Sequence, residues 1–104
     1  MVIVIIYNFK LTAILLINFS KRFDKQLRKA PLDIKIAVRN RYMLFTENPF
    51  NPFLNNHQLI GKMSGYRSIN ITGDWRALYS EYFDDEGNKI LIFEILGTHS
   101  QLYK

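Results

Sequence analysis

GYRSINITGDWRALYSEYFDDEGNKILIFEILGTHSQLYK, residues 65–104, holds three strand-like runs in succession. Residues 66–72 alternate apolar and polar side chains, 75–83 are rich in aromatics, and 89–96 are mostly β-branched or aromatic, so each reads as a strand. Between the last two, Asp84-Asp85-Glu86-Gly87-Asn88 supplies the residues of a hairpin turn, and both Gly87 and Asn88 tolerate positive φ. Thr72-Gly73-Asp74 joins the first two. Connections this short make a three-stranded antiparallel meander. Alternation puts Arg76, Leu78, Ser80 and Tyr82 on one face of its middle strand, and Trp75, Ala77 and Tyr79 on the other. Both faces contain apolar residues, as a covered central strand would.

Upstream of the meander the period changes from two to that of a helix. In residues 19–30 (FSKRFDKQLRKA), Phe19, Phe23, Gln26, Leu27 and Ala30 fall at helical spacing, with Ser20 as N-cap and Pro31 as the stop. The opposite side is basic: Lys21, Arg22, Lys25, Arg28 and Lys29, which reads first as a solvated helix face. Residues 32–47 repeat the pattern through Ile34, Ala37, Val38, Arg41, Tyr42 and Phe45. The two helices form an α-hairpin whose apolar stripes have only the sheet to cover. Asn48-Pro49-Phe50-Asn51-Pro52-Phe53 then breaks the second helix, and the loop of residues 55–64 carries His57 and Lys62 toward the sheet.

The N-terminus divides in two. Residues 13–18 read as the first strand of a single domain spanning residues 13–104, preceded by an apolar extension, residues 1–12. Three fates are open to the extension: an extra edge strand, a frayed arm, or translation from a start upstream of the ordinary one. Lys10 interrupts its apolar run, whereas a membrane span needs about 20 apolar residues. A signal peptide would want a basic start and a small-residue cleavage site, and neither is present. The expected architecture is therefore α+β: a first strand, two helices, and a small antiparallel sheet completed by the C-terminal meander.

At 104 residues the chain suits one modest core. Hydrophobic residues at 48% and charged residues at 22% are ordinary globular values. The formal net charge of +5 favours a polyanionic or acidic partner, although a basic solvated surface accounts for it equally well. With no cysteine, disulfides and thiol chemistry are excluded. The two histidines, His57 and His99, stand far apart and no carboxylate cluster accompanies them, so neither a metal site nor a cofactor is expected.

Two residues suggest chemistry by type and place. His99 follows Gly97-Thr98 at a strand end, where an imidazole is free to enter a cleft and exchange a proton at neutral pH. Arg76 could fork two hydrogen bonds onto a phosphate, as lysine cannot.

The motifs Gly65-Tyr66-Arg67, Gly73-Asp74-Trp75-Arg76 with Tyr79, and Gly97-Thr98-His99 with Leu102 and Tyr103 occur in that order. Together they resemble the RelE/ParE superfamily of bacterial toxins. His57-Gln58-Leu59-Ile60-Gly61, ahead of Gly-Tyr-Arg, brings the resemblance closest to the YafQ branch of ribosome-dependent RNA-cutting enzymes. The order of elements agrees over residues 14–104. The resemblance implies a RelE-like fold and the toxin of a type II toxin-antitoxin system. It further implies a cytoplasmic endoribonuclease whose partners are a cognate antitoxin, the ribosome and mRNA, with neither a membrane nor a small-molecule cofactor involved.

RNA can be cut without a metal because its own 2′-hydroxyl attacks the adjacent phosphate, leaving a base, an acid and a cation for the protein to supply. On the resemblance, His99 would be general acid or base, Arg76 the phosphate cation, and His57 a second proton carrier. Asp74 would orient or share a proton with an active-site histidine, and Tyr103 would stack on a base or assist proton transfer. Lys62, Arg67 and Trp75 would bind RNA. Structural alternatives stand beside several of these: a turn aspartate for Asp74, a core indole for Trp75, a clasp for Tyr103, and a salt bridge for Arg67, which shares a strand face with Ile69 and Ile71. Two departures from the YafQ branch are Asn70, where a histidine stands there, and Ile95, where an arginine does. They leave a catalytically degenerate, antitoxin-binding protein as one alternative. A gyrase poison of the ParE kind is another, against which the terminal Gly-Thr-His argues.

Overall fold

The computed structural model describes residues 2–7 and 12–103, with side chains over 15–103. In chain order the elements are β1 (Val2–Tyr7), β2 (Thr12–Phe19), α1 (Lys21–Lys29), α2 (Leu32–Glu47), β3 (His57–Gln58), β4 (Arg67–Asn70), β5 (Trp75–Phe83), β6 (Lys89–Thr98) and the short α3 (His99–Leu102). Two 3-10 turns, Pro52–Leu54 and Gly61–Met63, punctuate the segment around β3.

The meander forms as its sequence predicts. Asp84 closes the β5–β6 hairpin: its Oδ1 accepts the backbone N–H groups of Glu86 (2.9 Å) and Asn88 (2.8 Å), and Gly87 takes a φ of 82°. Those donors favour the ionised carboxylate and hold its pKa below the ordinary value of 3.8. Strand pairing runs in register from Phe83↔Lys89 to Trp75↔Thr98, broken once where Leu78 faces Ile95 and Tyr79 faces Phe93. Glu94 is the extra residue of this bulge. The bulge is anchored, since the Glu94 carbonyl accepts the Ser20 hydroxyl (3.0 Å) and its carboxylate accepts the Ser80 hydroxyl (3.1 Å).

The sheet has six strands in the order β1-β2-β6-β5-β4-β3. It is mixed where an antiparallel sheet was expected, because β2 enters parallel to β6 with Leu15 opposite Lys89 and Phe19 opposite Phe93. The cause is the α-hairpin that follows β2. Its crossover leads to the sheet's opposite edge, and the two turns of the meander then return the chain beside β2 in the same direction. Val2–Tyr7, within the stretch assigned to the extension, pairs antiparallel with β2, Val2 opposite Ile17 and Tyr7 opposite Thr12. Met1 and residues 8–11 lie outside the described residues.

Helix α1 starts at Lys21, as the Ser20 cap predicts, while Phe19, placed at helical spacing by the sequence, belongs to β2, its ring stacked on Phe93 at 5.6 Å. Ser20 is the N-cap, its hydroxyl accepting the Phe23 N–H (3.0 Å). Asp24 in the first turn and Arg28 and Lys29 in the last complement the helix dipole. The basic face of α1 is exposed throughout.

The helices cover the face carrying Ala77 and Tyr79, the parity question left open by alternation. Phe45 of α2, with no exposed surface, meets Tyr79 and Phe93 edge-on at 5.2 Å each, and Phe23 of α1 meets Phe93 at 5.7 Å. Burial raises the Tyr42 and Tyr79 phenols above their ordinary 10.0. The reverse face is covered as well: Leu78 and Ile95 are buried there, and Met63, Tyr66 and Leu102 line a cavity with Ile95. Among the described residues no helix is long and apolar enough to cross a membrane.

Candidate active site

The β4–β5 turn positions the first functional group. Thr72 Oγ1 accepts the N–H of Trp75 (3.1 Å), and Arg76 folds back over the turn. Its Nη1 donates to the carbonyls of Thr72 (2.9 Å) and Trp75 (3.0 Å), and Nη2 donates to that of Gly73 (3.2 Å). Three carbonyls thus fix the guanidinium before any ligand arrives. None of them is a carboxylate, and the ion pairs found among the described residues leave Arg76 out, so its full charge is available to a phosphate.

The second group is placed by the end of β6. Thr98 caps α3 through a reciprocal pair: its Oγ1 accepts the Gln101 N–H (3.3 Å) while Gln101 Oε1 accepts the Thr98 N–H (2.9 Å). Asp74 reaches across from the β4–β5 turn, its carbonyl accepting the His99 N–H at 2.9 Å and its Oδ1 at 3.4 Å. The expected partnership of Asp74 with a histidine is therefore made to the backbone of His99 rather than to its ring. His99 is exposed and lies against Tyr103, ring centroids 4.7 Å apart at 60°. The Tyr103 hydroxyl reaches Ser68 Oγ at 3.5 Å, which clasps the tail to β4.

His57 comes from the other side, on β3, opposite Ser68 of β4. Its Nδ1 lies 2.7 Å from the Asn55 carbonyl. These pieces converge on an open cleft of about 300 Å³ lined by Asn55, His57, Leu59, Arg76, His99 and Tyr103. Four residues singled out from sequence, His57, Arg76, His99 and Tyr103, share that cleft, and Asp74 supports it from behind. Two proton carriers, one fixed cation and a phenol can bind a phosphodiester and move protons on either side of it.

The three remaining candidates lie elsewhere. Arg67 is engaged in structure, donating from Nε to Asn56 Oδ1 (2.9 Å), standing 3.6 Å from Glu81 and capping the Phe50 ring at 5.4 Å. Trp75 packs against the core and lines a separate cavity of about 370 Å³ with Arg22 and Lys29 of α1. Lys62 is exposed on the 3-10 turn, lining a third hollow with Arg22 and Tyr66. Sequence reasoning passed over Asn55, Leu59 and Ser68. Only the run Asn55-Asn56 before His57 carried a signal, since asparagine tolerates the left-handed φ of 46° that Asn55 adopts. Among the described residues no three His, Cys, Asp or Glu side chains gather as metal ligands.

Comparison with known proteins gives the family and the fold. Residues 15–104 match the profile of the bacterial toxin of type II toxin-antitoxin systems, YafQ. A Haemophilus influenzae protein named for the YafQ toxin is 29% identical over 91 residues, covering 82% of this chain and 88% of its own. The crystal structure of YafQ from E. coli superposes with a TM-score of 0.61 at 26% identity, covering 85% of this chain and 97% of that one. That toxin has also been solved in the DinJ-YafQ toxin-antitoxin complex, at a TM-score of 0.59 and the same identity, covering 85% and 96%. A metal-bound toxin from Helicobacter pylori is 29% identical with a TM-score of 0.57, covering 85% and 98%. The fold and the profile over residues 15–104 agree: the chain belongs to the YafQ family of bacterial toxins of type II toxin-antitoxin systems.

Proposed function

We propose that this toxin is an endoribonuclease that cuts mRNA on the ribosome in the cytoplasm and is silenced by a cognate antitoxin. The observation that carries the reading is the meeting of His57, Arg76, His99 and Tyr103 in one cleft. One imidazole takes the proton of the 2′-hydroxyl, whose oxygen bonds to the adjacent phosphorus. The other gives a proton to the departing 5′-oxygen as its bond to phosphorus breaks. The products are a 2′,3′-cyclic phosphate and a free 5′-hydroxyl, so atoms and protons balance without water entering the step. Arg76, held open-handed over the turn, stabilises the charge that builds on the non-bridging oxygens. Tyr103, already tilted against His99, offers a surface for a base. The exposed cations of α1 add a non-specific attraction for the nucleic-acid backbone.

The antitoxin partner is supported by the DinJ-YafQ complex, and the net charge of +5 suits an acidic segment laid over the cleft. A degenerate protein that only binds its antitoxin is the second reading. Asn70 and Ile95 favour it, the former facing Arg76 across β4–β5 and the latter buried, so that neither supplies an imidazole or a cation to the cleft. Induced expression separates the readings. Growth arrest with cleaved messenger supports the nuclease, arrest with DNA damage a gyrase poison, and unimpeded growth the degenerate binder.

A further inference from the structure

We propose that Asn56 is a positioning residue that sets the tautomer of His57 and thereby makes His57 the base of the pair, an inference that rests on the ribonuclease reading above. His57 belongs to a strand of only two residues, too short to fix an exposed imidazole by pairing alone. Its neighbour Asn56 uses every polar group of its side chain. Nδ2 donates to the Tyr79 hydroxyl (2.7 Å) and to the Pro49 carbonyl (2.9 Å), and Oδ1 accepts from Arg67 Nε (2.9 Å). Tyr79 is buried in the core, and Arg67 is steadied in turn by Glu81 at 3.6 Å, itself paired with Lys89 at 2.6 Å. A single amide thus ties the His57 segment to β4, to β5 and to the loop after α2.

The consequence is read at the adjoining peptide. Asn55 is the one described non-glycine residue with positive φ, in the left-handed region that asparagine enters more readily than most residues. That conformation brings its carbonyl to 2.7 Å from His57 Nδ1. A carbonyl oxygen can only accept, so Nδ1 carries the proton and the lone pair of the neutral ring sits on Nε2. His57, which lines the cleft, is thereby set to take the 2′-hydroxyl proton, and His99 is left to protonate the 5′-oxygen. Arg67, expected from sequence to bind RNA, serves the site through Asn56 instead.

The test reads the tautomer without reference to activity. Two-bond proton–nitrogen correlation spectra of the full-length toxin, labelled with 15N and recorded where the imidazoles are neutral, should show His57 as the Nδ1–H form. In Asn56→Ala the ring should move toward Nε2–H, the form free imidazole prefers. The turnover rate on programmed ribosomes should fall roughly tenfold with KM unchanged, as for a displaced base. Tyr79→Phe keeps the ring and removes one of the two acceptors of Asn56, so it should shift His57 the same way by less, and it decides the matter if Asn56→Ala does not fold. The proposal is overturned if wild-type His57 is Nε2–H, or if both variants leave Nδ1–H intact. If the tautomer behaves as stated and no RNA is cut, the positioning stands and the ribonuclease reading falls.

Discussion

Replacing Arg76 by alanine isolates the cation from everything else in the cleft. Its three hydrogen bonds go to the carbonyls of Thr72, Trp75 and Gly73 at 2.9–3.2 Å, around a turn that is partly solvent-exposed. Water can replace most of them, so the fold should lose about 1 kcal/mol. In a domain of this size that lowers the melting temperature by about 4–8 °C, far short of unfolding at assay temperature. The chemical loss is larger. Removing one preorganised donor from a developing oxyanion costs roughly 10²–10³ in rate where water is excluded, and the openness of this cleft moves the expectation to about ten- to a hundredfold. Arg76→Lys keeps the charge but cannot span three carbonyls while forking onto phosphate, so its rate should lie between the other two. The assay is single-turnover cleavage of messenger in programmed ribosomes, with thermal melts of each variant alongside. Wild-type cleavage by a folded Arg76→Ala protein would remove the guanidinium from the mechanism.

Three further outcomes follow from separate parts of the molecule. His99→Ala should slow cleavage at least about tenfold and leave the melting temperature nearly unchanged, because the ring is exposed and α3 is held through the backbone N–H of this residue. Phe45→Ala empties the space between Tyr79 and Phe93 and should cost about 3–5 kcal/mol in a denaturant titration; a loss under 1 kcal/mol would contradict the core described here. Asp84 has a folded pKa below 3.8, so its contribution is complete above that pH and is lost as pH falls through the lowered value. The difference in melting temperature between wild type and Asp84→Asn should therefore be present at neutral pH and close as the solution is acidified below about pH 4. A difference that stays constant down to pH 2 would mean that the turn does not depend on the carboxylate.

What could be read from the chain alone follows the range of the interactions involved. Strands β5 and β6 and helix α2 rest on local period and on turn residues such as Asp84 and Gly87, and their bounds fall where the sequence predicts them or within two residues. The parallel joining of β2 to β6 pairs Leu15 with Lys89, and no local pattern encodes a partner so distant. The bulge at Leu78/Tyr79 is invisible for the same reason, since it answers to Ser20 on another element. At the site, residue type and motif order singled out His57, Arg76, His99 and Tyr103, because few side chains can do that chemistry. Arg67 shows the limit: its parity beside Ile69 hinted at a structural part, but the receiving groups, Asn56 and Glu81, are found only in three dimensions. Asn56 went unnoticed because an asparagine before a histidine looks like any loop until its amide is seen to join three elements.

In the proposed reaction the substrate's own 2′-hydroxyl is the nucleophile, and His57, Arg76 and His99 of the cleft serve its attack. The decisive substrate is a messenger carrying a single 2′-deoxy sugar at the cut site, presented on ribosomes beside an unmodified control. Resistance of that messenger, with normal cutting of the control, is the expected result. Cleavage of both at the same rate would mean that the 2′-hydroxyl is not the nucleophile.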